Sequence, residues 1–147
     1  SSGHASGVCS FQRRRGVFDT STNRFSASVS TGLVTMDEKF RGAAAVGTQV
    51  VFAPYVADVV GVFDTSTSSF SASVSTGSLT MDYKFSGAAA VGTQVVLAPY
   101  NADAVGVFDA STSSFSASVS TGSLTMYGDY KFSGAAAVGT QVVFAPH

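Results

Sequence analysis

Cysteine is almost missing from this 147-residue chain: the lone Cys9 permits no intrachain disulfide, so nothing covalent staples the fold. Tryptophan is absent, proline occurs three times and histidine twice, at His4 and His147. No Cys/His cluster has zinc-ligand spacing, and two histidines near the chain ends leave no credible Ser-His-Asp triad, so neither a metal site nor hydrolysis by triad is expected. Charge is scarce as well. Eight Lys+Arg against nine Asp+Glu supply no excess of positive charge to neutralise phosphates, which argues against nucleic acid or an anionic membrane surface as a partner. The uncharged run 85–102 is broken by two glycines, Gln94, Pro99 and Asn101, so it would strand polar groups in lipid and is not read as a span. A water-soluble chain able to bury one core is expected.

What is abundant is repetition. GVFDTSTNRFSASVSTG at 16–32 returns as GVFDTSTSSFSASVSTG at 61–77 and GVFDASTSSFSASVSTG at 106–122, a register of 45 residues each time. A second block follows each copy: KFRGAAAVGTQVVFAPY at 39–55, KFSGAAAVGTQVVLAPY at 84–100 and KFSGAAAVGTQVVFAPH at 131–147. The third arrives two residues late because Tyr127-Gly128 is inserted after Met126, which marks that connection as a surface loop, since a strand would lose register. A period in the forties signals stacked supersecondary units, and the pattern within the unit selects strands. Phe70, Ala72 and Val74 alternate with Ser69, Ser71, Ser73 and Ser75, placing one face on a core and a hydroxyl row on the other. Gln94-Val95-Val96-Leu97 is β-branched-rich and bounded by Gly92 and Pro99. Gly87 to Gly92 is too short to nucleate a helix, and Val91-Gly92-Thr93-Gln94 reads as a tight hairpin with glycine supplying a positive φ. Asp64 to Ser68 reads as a second turn, with Asp64 bonding nearby amides.

Each unit therefore carries four short strands, GAAAVG, TQVVFA, VGVFD and SFSASV, so the expected fold is all-β. Four antiparallel strands per unit make one β-propeller blade, and about three blade equivalents are present. At this level the residues resemble the kelch family. Phe18-Asp19 followed by Phe25, Phe63-Asp64 by Phe70 and Phe108-Asp109 by Phe115 match its aromatic spacing, with phenylalanine in both aromatic places. Thr22-Asn23-Arg24-Phe25 matches its Thr-Asn turn, and Lys84-Phe85 stands where kelch units open the inner strand with arginine. The sequence is also similar to the propeller repeats named after a Tyr-Val-Thr-Asn signature, through VGVFDTST. One departure is that Ala53-Pro54, Ala98-Pro99 and Ala145-Pro146 replace the family's glycine pair, so the second strand is expected to end at the alanine.

The resemblance implies a non-repeat, disordered segment 1–15 and an array over 16–147: a half blade at 16–32, blades at 39–77 and 84–122, and a half blade at 131–147. His4, Cys9 and the Arg13-Arg14-Arg15 run are assigned to that segment rather than to chemistry. Three blade equivalents are too few to close a ring, so the chain is either a piece of a longer array or half of a homodimer whose half blades complete each other into a six-bladed ring. Kelch-like copper oxidases need His, Tyr and Cys on the axis, sialidase propellers need arginine clusters, and only Arg24 and Arg41 lie within the array. Asp37-Glu38, Asp82 and Asp129 recur at one place in each unit, which suits loop caps better than a unique glycosidase pair. No catalytic residue and no cofactor are expected.

Asp19, Asp64 and Asp109 are expected to cap turns, and Lys39, Lys84 and Lys131 to form partly exposed pairs with Asp58, Asp103 or the neighbouring acids, each stabilising by less than about 1 kcal/mol. The pairs Phe18/Phe25, Phe63/Phe70 and Phe108/Phe115 are expected between blades, in the core. The loops leaving strands two and four share one face, presenting Tyr55, Tyr100, Asn101 and Asp103 from one set and Met81, Asp82, Tyr83, Met126, Tyr127 and Tyr130 from the other. Tyrosine and methionine suit contact surfaces, so the expected function is a non-catalytic module binding a protein or peptide there. The alternatives are a Ser/Thr-rich structural or extracellular repeat protein, and a fragment of a propeller enzyme whose site lies elsewhere. The sequence assigns no compartment.

Overall fold

The computed structural model describes residues 14–122, 124 and 130–147, leaving out the side chains of residues 14, 15 and 27–29. Among the described residues twelve strands run in order: β1 (Arg14–Asp19), β2 (Arg24–Ser30), β3 (Phe40–Val46), β4 (Gln49–Pro54), β5 (Val59–Asp64), β6 (Ser69–Ser75), β7 (Phe85–Val91), β8 (Gln94–Pro99), β9 (Ala104–Asp109), β10 (Ser114–Ser120), β11 (Phe132–Val138) and β12 (Gln141–Pro146). Every pairing is antiparallel and between sequence neighbours. β3–β6 and β7–β10 form two four-stranded meanders, while β1–β2 and β11–β12 stand as two-stranded sheets. No helix of the described residues is long and apolar enough to cross a membrane.

Local chemistry accounts for the turns. In each first hairpin two residues connect the strands, as in Val46↔Gln49 and Val91↔Gln94, and the leading glycine has positive φ: Gly47 at 57°, Gly92 at 59°, Gly139 at 60°. A positive φ at the first central position alone is the geometry whose twist matches the flanking strands. In the other hairpin, Asp64 Oδ1 accepts from the Ser66 amide at 2.8 Å and from the Ser66 hydroxyl at 2.6 Å. Asp19 with Ser21 and Asp109 with Ser111 repeat this pattern.

Those hydrogen bonds, led by the serine hydroxyl, hold all three carboxyls below the usual aspartate range. A depressed folded pKa stabilises above the unfolded value of roughly 3.9 and loses that effect as pH falls through the folded value. Thermal melts are therefore expected to drop as pH is lowered below about 4. A variant with Asp19, Asp64 and Asp109 all changed to Asn, which keeps the turn acceptor without a titrating group, should show a shallower drop.

The core lies where the two four-stranded sheets face each other. Val51, Ala53, Val60 and Val62 of the first sheet pack on Phe85, Val95, Leu97 and Phe108 of the second, with Val74 and Phe115 at the margin. β4 is buried on one face and half-buried on the other, whereas β6 is half-buried on one face and exposed on the other, which is why QVVFAP is mostly apolar and SFSASVS alternates. Burial of each large side chain contributes about 1.5–3 kcal/mol.

The first strands of successive sheets, β3, β7 and β11, lie against one another in turn, with the closest approach at their glycine backbones. A Cβ on Gly42 would sit 2.6 Å from the Gly87 Cα, and one on Gly87 would sit 2.7 Å from the Gly134 Cα. Gly42 and Gly87 also take φ of 84° and 109°, in a stretch where the ladder with the next strand shifts register. Glycine alone meets both demands.

Three expectations need correction. Strands β3, β7 and β11 begin at Phe40, Phe85 and Phe132, two residues before the glycine, because a bulge lets the aromatic residue resume the ladder. The second strands run one residue past the alanine: Pro54, Pro99 and Pro146 pair with those same phenylalanines. Proline is tolerated there because it is the terminal residue of the strand and an accepting carbonyl remains. Phe18 and Phe25 are 56% and 68% exposed, whereas Phe63 and Phe108 are buried, because among the described residues the first hairpin is a two-stranded sheet while Phe63 and Phe108 lie in four-stranded ones. Lys84 and Lys131 form the expected pairs with Asp58 and Asp103, whose carboxylates stay exposed, while the lysines themselves, like Lys39, are buried.

Candidate functional site

A continuous backbone relay crosses the sheets just ahead of β3, β7 and β11. Tyr55 N donates to Lys39 O, Lys84 N to Tyr55 O, Tyr100 N to Lys84 O, Lys131 N to Tyr100 O and His147 N to Lys131 O, over 2.8–3.2 Å. Each lysine then anchors the loop of the preceding unit: Lys84 Nζ reaches Asp58 at 2.9 Å and the Val56 carbonyl at 3.1 Å, and Lys131 Nζ reaches Asp103 at 2.9 Å. The partner carboxylates remain exposed, so the buried ammonium is satisfied at the rim rather than in a dry interior.

This relay holds a cluster of rings. Tyr55 lies 4.9 Å from Tyr83 and 5.6 Å from Tyr100, Tyr100 stacks on Tyr130 at 4.5 Å with 21° between planes, and His147 meets the Tyr100 ring edge-on at 5.2 Å. Such pairs contribute about 0.5–1.5 kcal/mol beyond their burial. The Arg41 guanidinium sits over both the Tyr55 and Tyr100 rings, 5.1 and 5.6 Å from their centroids, and donates to the Tyr55 hydroxyl at 2.9 Å. Burial pushes the Tyr55 hydroxyl up from its ordinary pKa, and the Arg41 hydrogen bond offsets part of that rise. It therefore remains a protonated donor at neutral pH. The Tyr100 hydroxyl lies 3.3 Å from His147 Nε2.

Tyrosines from both expected loop sets meet here, but unequally exposed. Tyr55 and Tyr100 are 5% exposed and form a floor; Tyr130, 40% exposed, and Met81, 37% exposed, face outward, and Tyr83 is half-buried. Asn101 donates through Nδ2 to the Asp82 carbonyl, tying the two loop sets together, and Asp103 is held by Lys131. Asp82 is exposed. Met126 and Tyr127 lie outside the described residues, as does the two-residue insertion that includes Tyr127. Tyr83 takes φ of 60°, as Glu38 takes 48° at the same repeat position; a bulky residue in the left-handed region carries strain that the surrounding ring contacts and relay must hold.

Two members of the cluster, Arg41 and His147, are absent from the expected set. Both were legible as breaks in the repeat: Arg41 stands where the other copies have Ser86 and Ser133, and His147 where they have Tyr55 and Tyr100. A cleft of about 300 Å³ opens beside Arg41 and Tyr55, lined also by Glu38 and Phe40. Among the described residues no group of three or more His, Cys, Asp or Glu gathers as for a metal ion.

The fold and this site define an all-β protein of antiparallel meanders with an aromatic, arginine-topped cluster at one end. No family model matches the chain, and no curated protein is significantly similar to it.

Proposed function

We propose that the chain is a non-catalytic interaction module of kelch-like propeller repeats that binds a protein or peptide through its tyrosine-rich end. The observation that carries this reading is the convergence of Tyr55, Tyr83, Tyr100 and Tyr130 with Arg41 and His147, two of the rings buried as a rigid floor and others left open. Tyrosine and arginine dominate protein contact energetics because they offer large rigid area with polar tips. Met81, two residues before Tyr83 in the chain and 37% exposed, offers an adaptable apolar side chain. The architecture alone does not specify a ligand, so the reading stands on the site.

The immobilised chain is expected to retain a cross-linkable partner from cell extract. Changing Tyr83 and Tyr130 to serine should weaken retention by about 2 kcal/mol or more, roughly thirtyfold. Ser71→Ala and Ser73→Ala, on the exposed face of β6, should change nothing. Equal retention by the tyrosine variant sinks the proposal. Loss caused by the serine changes would favour the structural, Ser/Thr-surface reading, which the exposed Ser69, Ser71, Ser73 and Ser75 row supports.

A further inference from the structure

Two ends of the strand stack carry apolar surface that the same repeat positions bury elsewhere. Val95 and Leu97 of β8 are fully buried, while their equivalents Val50 and Phe52 of β4 are only half-buried. At the other end Val143 of β12 is 58% exposed, whereas its equivalent Val51 is 0% exposed. A cleft of about 240 Å³ lies between the first hairpin and the β3–β6 sheet, lined by Gly16, Val17, Val50, Phe52, Phe63 and Thr65. That is the position the first two strands occupy in a four-stranded sheet. Among the described residues β1 is hydrogen-bonded to β2 alone and β12 to β11 alone, so each presents a free edge.

The complete units show how such edges join. β4 pairs with β5 as Gln49↔Asp64, Val50↔Phe63, Val51↔Val62 and Phe52↔Gly61, and β8 with β9 in the identical repeat register. The ring of Phe40 lies over Gly61, and that of Phe85 over Gly106, so close that a Cβ on either glycine would meet it at 2.8 Å. Gly16 is the equivalent glycine of β1, and there the Phe25 ring lies in that place.

We propose that two copies of this chain associate head to tail, β11–β12 of each inserting beside β1–β2 of the other. The register is Gln141↔Asp19, Val142↔Phe18, Val143↔Val17 and Phe144↔Gly16 between copies. Val143 then covers Val50 and Phe52, Phe18 is covered in turn, and the Phe132 ring settles over Gly16. Used twice about a two-fold axis, the contact leaves neither β1 nor β12 as an edge and closes at a dimer of six four-stranded sheets. A single copy cannot make the contact with itself, because three sheets' worth of strands are too few to bend into a ring. This inference is independent of the tyrosine cluster.

The test is a Cys9→Ser chain carrying Val17→Cys and Val143→Cys, with Val17→Cys and Gln141→Cys as the off-register control. Directly opposed cross-strand residues fall within disulfide reach. The in-register pair is expected to give, on mild oxidation, a species of twice the chain mass with no larger ladder, and the control should remain uncross-linked. Sedimentation of the unaltered chain should show the same doubled mass. A monomer at the highest soluble concentration, an open ladder, or equal cross-linking by the control overturns the proposal. Hydrogen exchange on the unaltered chain guards against a variant that fails to fold: β1 and β12 amides should gain protection with concentration, and concentration-independent exchange also overturns it.

Discussion

Gly87→Ala is expected to lower stability by roughly 2–6 kcal/mol, combining strain of about 1–3 kcal/mol at a left-handed backbone with about 1–3 kcal/mol of overpacking. The φ of 109° disfavours any side chain, and the new Cβ would fall 2.7 Å from the Gly134 Cα, a backbone atom that cannot swing aside. Two other glycines make the result diagnostic. Gly92→Ala meets nothing within 4 Å and has only its φ of 59° against it, so about 1–2 kcal/mol is expected. Gly134→Ala has the repeat position of Gly87 but only Ala145 Cβ near it within one copy, at 3.8 Å, and no left-handed φ; in dilute solution it should be neutral or gain about 0.4–1 kcal/mol. Urea unfolding midpoints at constant m-value rank the three. If Gly87→Ala costs no more than Gly92→Ala, β3, β7 and β11 do not touch as described.

Phe108→Ala is expected to cost roughly 3–5 kcal/mol, and Phe18→Ala, at the same repeat position, less than about 0.5 kcal/mol in dilute solution. Phe108 is 1% exposed, between the two four-stranded sheets, whereas Phe18 is 56% exposed on the first hairpin. Truncating the first leaves a cavity that rigid strands on both sides cannot collapse to fill. Truncating the second removes little surface from water that folding had protected. The same urea measurement separates them, and equal costs would place the core elsewhere. In concentrated solution the cost of Phe18→Ala should rise, because association through β1 buries that ring and couples stability to concentration.

Much of the fold was legible because local rules repeat without conflict. Alternation in SFSASVS, the two-residue glycine hairpin and the Asp-Ser turn each follow from steric or hydrogen-bonding preferences acting within a few residues. Three copies of one unit then give three instances of each inference. The site was half legible. The repeat pattern groups Tyr55, Tyr83, Tyr100 and Tyr130 in two loop sets, and their rings lie together, but in the sequence Arg41 is one of two scattered arginines and His147 a residue outside the repeated core. Their importance depends on a distance across units that no local pattern encodes.

By itself, the sequence determined the strand content, the hairpins and the meander order, because those depend on backbone preferences and on side-chain period. Tertiary structure alone decided which copy of an identical residue is core and which is surface. Phe18 and Phe108 both sit in a GVFD segment at the same repeat position, yet one is 56% and the other 1% exposed. It alone decided, too, that Lys84 is buried and that within one copy Gly87 is indispensable where Gly134 is not. The physical reason is that burial and backbone contact are properties of what stands on the far side of a sheet, and a repeat has a far side only where another unit is stacked on it.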